Sequence, residues 1–439
     1  MNDMLTDYGV PIFLAAALGV PCIAMVAVRS RRFTKALMFA VSFLFIFSNY
    51  IDINFMSMKT YRGTVRGFEV TFIDFLVGVL FLAVCMNSSI KKKLKIPGFW
   101  YIAFYATCML LSILIPQGAS EMFGAFGVLQ YLRFLLLYWT FYHLIQDEED
   151  YRLMLWGICC GALVCAAIAL NQKYVLHQYR ISGFTDHPNL LSAYSNMVAI
   201  FLTYVFLSNV QRKGALKYLI LTAMAAGFGI TLLTISRGGI TALGIGIAMV
   251  LLVQGGLLRR RVPRRNIAGA LFLISMVIAM WLPVSNSVVN RFITPQPGGD
   301  KIRAELKEAA VDIANKRILG CGYNGFSLAA EEYRTDFPPA HSVYYLTMAE
   351  LGYIGLFAFL MVWARFIFLG IRQRFARHRP LTSICITGLT LACITLLCHS
   401  WMEDHPRRTL IMYQTAIYWA YMAKGVMLLR KDAGMEGTL

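Results

Sequence analysis

Apolar stretches of roughly 20 residues, each long enough to cross about 30 Å of hydrocarbon, recur along the chain with short polar breaks between them. The pattern predicts an all-α polytopic membrane protein, a bundle of about 12–13 transmembrane helices. Spans are expected near 10–28, 36–51, 70–87, 98–115, 124–145, 153–170, 189–209, 267–284, 343–370, 381–399 and 409–429. The run 218–256 is twice the length of one crossing at about 1.5 Å per residue. It reads as a tight hairpin of two more spans, with Ser236-Arg237-Gly238-Gly239 at its midpoint.

One longer polar segment breaks the rhythm. Within it, KIRAELKEAAVDIANKRILG spaces Ile302, Leu306, Ala309 and Ile313 at helical intervals, which predicts an amphipathic helix lying on the membrane or capping the bundle. The expected organisation is a helix bundle over 1–284, a loop with this helix over 285–341, and C-terminal transmembrane helices over 342–439.

Composition agrees: 15% of the residues are charged and 58% hydrophobic, against about 25% charged in a soluble domain. The net charge of +18 would suit nucleic acid, but the basic residues bunch at the ends of apolar segments, so no nucleic-acid partner is expected. The clusters are Arg29 to Lys35, Lys91 to Lys95, Arg212 to Lys217, Arg259 to Arg265, Arg372 to Arg379, and Arg430 with Lys431. The positive-inside rule assigns them to the cytoplasm. The loop around Lys59, the segment Asn171 to Pro188, the hairpin turn, the long loop and HSWMEDHPRR then share the opposite face. Cysteines show neither a disulfide framework nor a zinc spacing, and no metal or cofactor is expected.

That face holds Arg180 in QYRISGFTDHPN, Arg237 in TISRGG, Arg303 in the amphipathic helix and His341 in PPAHSVYY. Arg133, in YLRFLLLYW, falls inside a span, where its cost argues for an interior or wet environment. An outer-loop arginine is ordinarily solvated or set against headgroups, and Arg62, Arg66, Arg407 and Arg408 are read that way. Arg237 differs because two glycines follow it and permit close backbone approach. His187 reads as a turn element. So does GCGYNGF, which lacks the strand-turn-helix context of a phosphate loop.

The segments RISGFTDHPNLLSAY, TISRGGITAL, ILGCGYNGF and HSVYYLTMAELGYIGL, in this order, make the stretch from Arg180 to Leu356 resemble the bacterial O-antigen ligase and Wzy-type O-antigen polymerase superfamily. The resemblance implies a multi-pass inner-membrane enzyme whose site faces the periplasm. Such an enzyme transfers a glycan from undecaprenyl diphosphate, without metal or cofactor and with inversion, to an acceptor hydroxyl. The acceptor is the lipid A core for a ligase and the growing lipid-linked polysaccharide for a polymerase; membrane lipids surround both. By position, the resemblance singles out Arg180, Arg237, Arg303 and His341. Ser342 stands where the family usually has Asn, which removes an amide but leaves the imidazole.

Departure of a diphosphate builds negative charge that paired guanidiniums stabilise, and an imidazole can take the acceptor's proton. The expected catalytic set is therefore His341, Arg237 and Arg180. Arg303, Arg133, Glu350 and His187 are expected to bind substrate, with Glu350 either orienting His341 or pairing with an arginine. The single moderate outer loop favours a ligase. A lipid-linked oligosaccharide flippase or transporter is the rival class, disfavoured because the candidates gather at one face and the halves do not repeat.

Overall fold

A computed structural model describes residues 2–48, 52–57, 61, 63–114, 121–208, 214–256, 275, 282, 285–294, 297–333, 340–372, 379–432 and 434. The span expected near 267–284 lies outside them except for Ser275 and Leu282. The elements are α1 (Asn2–Arg29), α2 (Arg31–Leu44), β1 (Asp52–Ser57), β2 (Gly67–Thr71), α3 (Phe72–Met86), α4 (Phe99–Leu114), α5 (Glu121–Leu144) and α6 (Glu148–Leu170). They continue as α7 (Pro188–Leu207), α8 (Ala215–Leu233), α9 (Arg237–Gly256), α10 (Ser285–Ile293), α11 (Pro297–Lys316), α12 (Val343–Arg372), α13 (Pro380–His399) and α14 (Thr409–Asp432).

The chain is a multi-pass helical membrane protein. By length and composition α5 to α9, α12 and α13 can each cross a membrane; Phe13–Arg29, α3 and α4 are shorter apolar helices. At the centre stands α7, 94% buried across its span, with α8, α9 and α13 packed around it. A helix wrapped on all sides has no lipid-facing stripe, and its polar side chains find partners inside the bundle: Ser195 Oγ meets Thr231 Oγ1 at 2.8 Å and Asn196 Nδ2 donates to Gly239 O at 2.8 Å. The helix α14 is less hydropathic, yet it is buried from Leu410 to Ala423 between α5, α12 and α13.

Three features depart from a plain string of spans. The loop before α3 contains an antiparallel pair, β1 with β2, in which Asp52 faces Thr71, and Thr71 and Asp74 cap α3 reciprocally. The amphipathic helix, α11, caps the bundle: Leu306, Ala310 and Ile313 are buried against Phe326, Leu346 and Ala349.

The third departure is a break in the long span expected from 343 to 370. Gly352 has φ +68° and interrupts α12. A break frees carbonyls that cannot be left bare in a membrane, and the GCGYNGF turn meets them: Cys321 N donates to Ala349 O at 2.9 Å and Gly322 N to Glu350 O at 3.1 Å. Asn324 then ties the turn to the rest of the fold, its Nδ2 donating to Val65 O and Phe123 O and its Oδ1 accepting from Val65 N. A Cβ on Gly352 would lie 1.9 Å from Ile318 O. Gly352→Ala is therefore expected to cost about 3 kcal/mol or more, read as a lower thermal midpoint of the purified protein in detergent.

Candidate active site

The candidate residues converge at one end of the bundle, where α8 turns into α9, α7 and α12 begin, and α13 ends. His187 caps α7 through its Nδ1, which accepts from Asn189 N at 3.2 Å, and Pro188 supplies the first helical position. The cap fixes Asn189 at the start of the most buried helix. Arg180 reaches this point from the preceding loop, with Nη2 donating to Asn189 Oδ1 at 2.9 Å and Nε to Thr234 O at 2.9 Å. Thr234 ends α8, and Arg237 opens α9 just after it. The glycines behind Arg237 work by closeness. A Cβ on Gly239 would meet Ser192 Oγ of α7 at 2.5 Å, and one on Gly238 would meet His399 at 3.2 Å.

At the hub is Glu403, a buried carboxylate in the loop between α13 and α14. Its Oε1 accepts from Asn189 Nδ2 and lies 3.6 Å from Arg303 Nη2 of α11. Its Oε2 is 3.2 Å from His341 Nδ1. A carboxylate only accepts, so His341 Nδ1 carries a proton, and in the neutral imidazole Nε2 then presents its lone pair. Burial alone would push the Glu403 carboxyl up; the hydrogen bond from His341 and the positive charge that gathers around it, Arg303 included, outweigh it and hold the group well below the usual carboxylate range.

Positive charge accumulates around this pair. Burial, and after it the charge of Arg291 in α10, lowers the pKa of Arg180, with Arg303 adding to the effect while Glu403 opposes it. A guanidinium crowded by other guanidiniums marks a place an anion would relieve. Among the described residues no three His, Cys, Asp or Glu are set to hold a metal ion.

The loops carrying His341 and Glu403 are clamped together twice. Near His341, Val343 N donates to both Ser400 O and Glu403 O at 3.1 Å. At the other end of the short helix before the break, Glu350 pairs with Arg407 and also accepts from Asn324 N and Phe326 N. Arg407 is 3% exposed and stacks over the Tyr323 ring at 4.1 Å.

Several expectations change as a result. Arg407, read as solvated, is buried in an ion pair. Glu350 meets an arginine and does not touch His341; its two backbone contacts make it part of the clamp. Arg133 does sit inside the protein, but its guanidinium is committed to Asp74 at 2.7 Å, to Glu69 O at 2.6 Å and to Tyr413, away from the Glu403 hub. Arg180, His187, Arg303 and His341 are brought together around Glu403, with Arg237 at the adjoining turn.

Glu403, Asn189 and Arg291 were not singled out in the sequence. The available signal for Glu403 was its position in HSWMEDHPRR, a carboxylate between two histidines on the same predicted face. The model of the family described as O-antigen ligase matches residues 222–360, a stretch holding Arg237, Arg291, Arg303, the GCGYNGF turn and His341. No curated protein matches the chain.

Proposed function

We propose, for a multi-pass membrane chain that carries the O-antigen ligase family's domain over residues 222–360, that it transfers a glycan from undecaprenyl diphosphate to a hydroxyl of the lipid A core at the periplasmic face of the inner membrane. The observation that carries this reading is the His341–Glu403 pair, set among arginines that arrive from four separate segments: Arg180, Arg237, Arg291 and Arg303. A base beside a cationic cradle suits a reaction that removes one proton and releases one diphosphate.

In the proposed step His341 Nε2 takes the proton of the acceptor hydroxyl as its oxygen attacks the anomeric carbon. The bond from that carbon to the diphosphate oxygen breaks on the opposite side, so the anomeric centre inverts. The leaving undecaprenyl diphosphate keeps the electron pair, and Arg180, Arg303 and Arg237 neutralise it by charge-assisted hydrogen bonds. No metal is called for, because the guanidiniums supply the positive charge. Glu403 is a positioning residue that holds the tautomer of His341. Arg133 and Glu350 are assigned to the framework, and His187 to the cap that orients Asn189.

Deletion of the gene tests the acceptor. A ligase is expected to leave long lipid-linked polymer stranded in the membrane and the lipid A core bare. Single repeat units attached to the core would make the chain a polymerase instead. Unextended donor trapped on the cytoplasmic side would turn the reading toward a flippase.

A further inference from the structure

A wide recess lies away from the Glu403 hub, at the other end of the bundle. Arg365 of α12 lies about 20 Å beyond the Gly352 break at 1.5 Å per residue, and with Lys424 of α14 it helps wall a cleft of about 1160 Å³. The loop between α3 and α4 forms a second wall. Among the described residues, seven lysines and arginines line the cleft and no carboxylate does.

The basic wall is built and not loose. Lys93 N donates to His143 Nε2 at 3.0 Å, His143 Nδ1 in turn contacts Trp139 O at 2.8 Å, Trp139 Nε1 donates to Lys93 O at 3.0 Å, and Tyr138 Oη donates to Pro97 O at 2.6 Å. Those bonds pin the lysine loop onto α5. The cations rest on aromatic faces: Lys95 over Trp100 at 4.9 Å, Lys424 over Tyr142 at 5.2 Å and Arg365 over Tyr101 at 5.9 Å. Among the described residues, Arg365 Nε is buried without a hydrogen-bond partner. A buried donor of this kind is costly unless an acceptor reaches it.

We propose that this cleft holds the headgroup of an anionic phospholipid that carries two phosphates. Phosphate oxygens would bridge the Arg365 guanidinium and the lysine ammoniums at once. Two phosphates fit better than one because the cations come from three segments across a wide recess. A bilayer lipid fits better than a soluble anion because the rim mixes charge with apolar surface. Trp100 is 68% exposed beside the cleft, as expected of an aromatic at headgroup depth, and Met427 and Leu428 offer contact to acyl chains. The assignment is independent of the transfer reaction.

Native mass spectrometry of the full-length protein in detergent tests it, with cardiolipin, phosphatidylglycerol and phosphatidylethanolamine offered in turn and inorganic pyrophosphate as soluble competitor. Cardiolipin is expected to bind about tenfold or more tightly than phosphatidylethanolamine. Arg365→Gln with Lys424→Gln is expected to abolish that preference. Lys93→Gln with Lys95→Gln, two exposed positions that leave the core untouched, is expected to weaken it severalfold, which guards against misfolding of the first pair. Equal retention of the three lipids, or full preference in the Lys93/Lys95 variant, would overturn the proposal. Displacement of cardiolipin by pyrophosphate would do so too, by reassigning the cleft to a soluble phosphate.

Discussion

Replacing His341 by Ala is expected to lower glycan transfer by about 10²–10⁴-fold, the usual contribution of a positioned general base, while donor binding stays within a few-fold of the parent. The split follows from geometry. His341 Nδ1 is spent on Glu403, so the imidazole meets the substrate through Nε2 alone, at the attacking hydroxyl and not at the diphosphate. Arg180→Ala supplies the opposite signature, because a guanidinium at the diphosphate contributes to both ground-state binding and leaving-group departure. Folding should survive loss of the imidazole: the turn at His341 is held by the backbone bonds from Val343 to Ser400 and Glu403, which use no His341 atom. Turnover with purified lipid-linked donor, measured beside the donor's dissociation constant, checks the prediction. Retained turnover in the Ala variant would remove His341 as the base.

The seven long spans, α5 to α9, α12 and α13, were legible because hydrocarbon thickness sets the length of a crossing, and the hairpin at Arg237 was legible for the same reason; the run expected near 36–51 is instead the 14-residue α2 and a short turn. The break at Gly352 was not. A glycine inside an apolar run looks the same whether it eases helix packing or stands at φ +68°, and only the distant Cys321 and Gly322 amides reveal which. Arg180, Arg237, Arg303 and His341 were picked out by their place in the four segments that resemble the family, with the glycines after Arg237 as the one independent local signal. Glu403 could not be ranked above its neighbours, since its meaning lies in partners 62 and 214 residues away. Arg407 was misread for a related reason. An arginine in a loop is normally solvated, and its burial depends on a carboxylate, Glu350, supplied by a broken helix.

Glu403→Gln is expected to reduce transfer by about 10²-fold or more, even though the substitution barely alters shape. The carboxylate accepts from Asn189 Nδ2 on one oxygen and from His341 Nδ1 on the other. An amide has one acceptor oxygen and one NH₂, so one of the two donors must face another donor. If His341 yields, its tautomer switches and Nε2 loses the lone pair that takes the proton. If Asn189 yields, its amide flips and Oδ1 no longer receives Arg180 Nη2. Either outcome damages a group assigned to the reaction. Glu403→Asp keeps both oxygens and should recover part of the activity. Because the folded-state pKa of Glu403 is depressed, its contribution is present above the ordinary carboxylate range and disappears only as pH falls below it. A change in transfer rate between about pH 6 and 9 would then arise elsewhere. The decisive measurement is the double variant: His341→Ala with Glu403→Gln should be no slower than His341→Ala alone, since a positioning residue has nothing left to position. Fully additive losses would mean that Glu403 acts on the substrate or on the arginines by a route that bypasses His341.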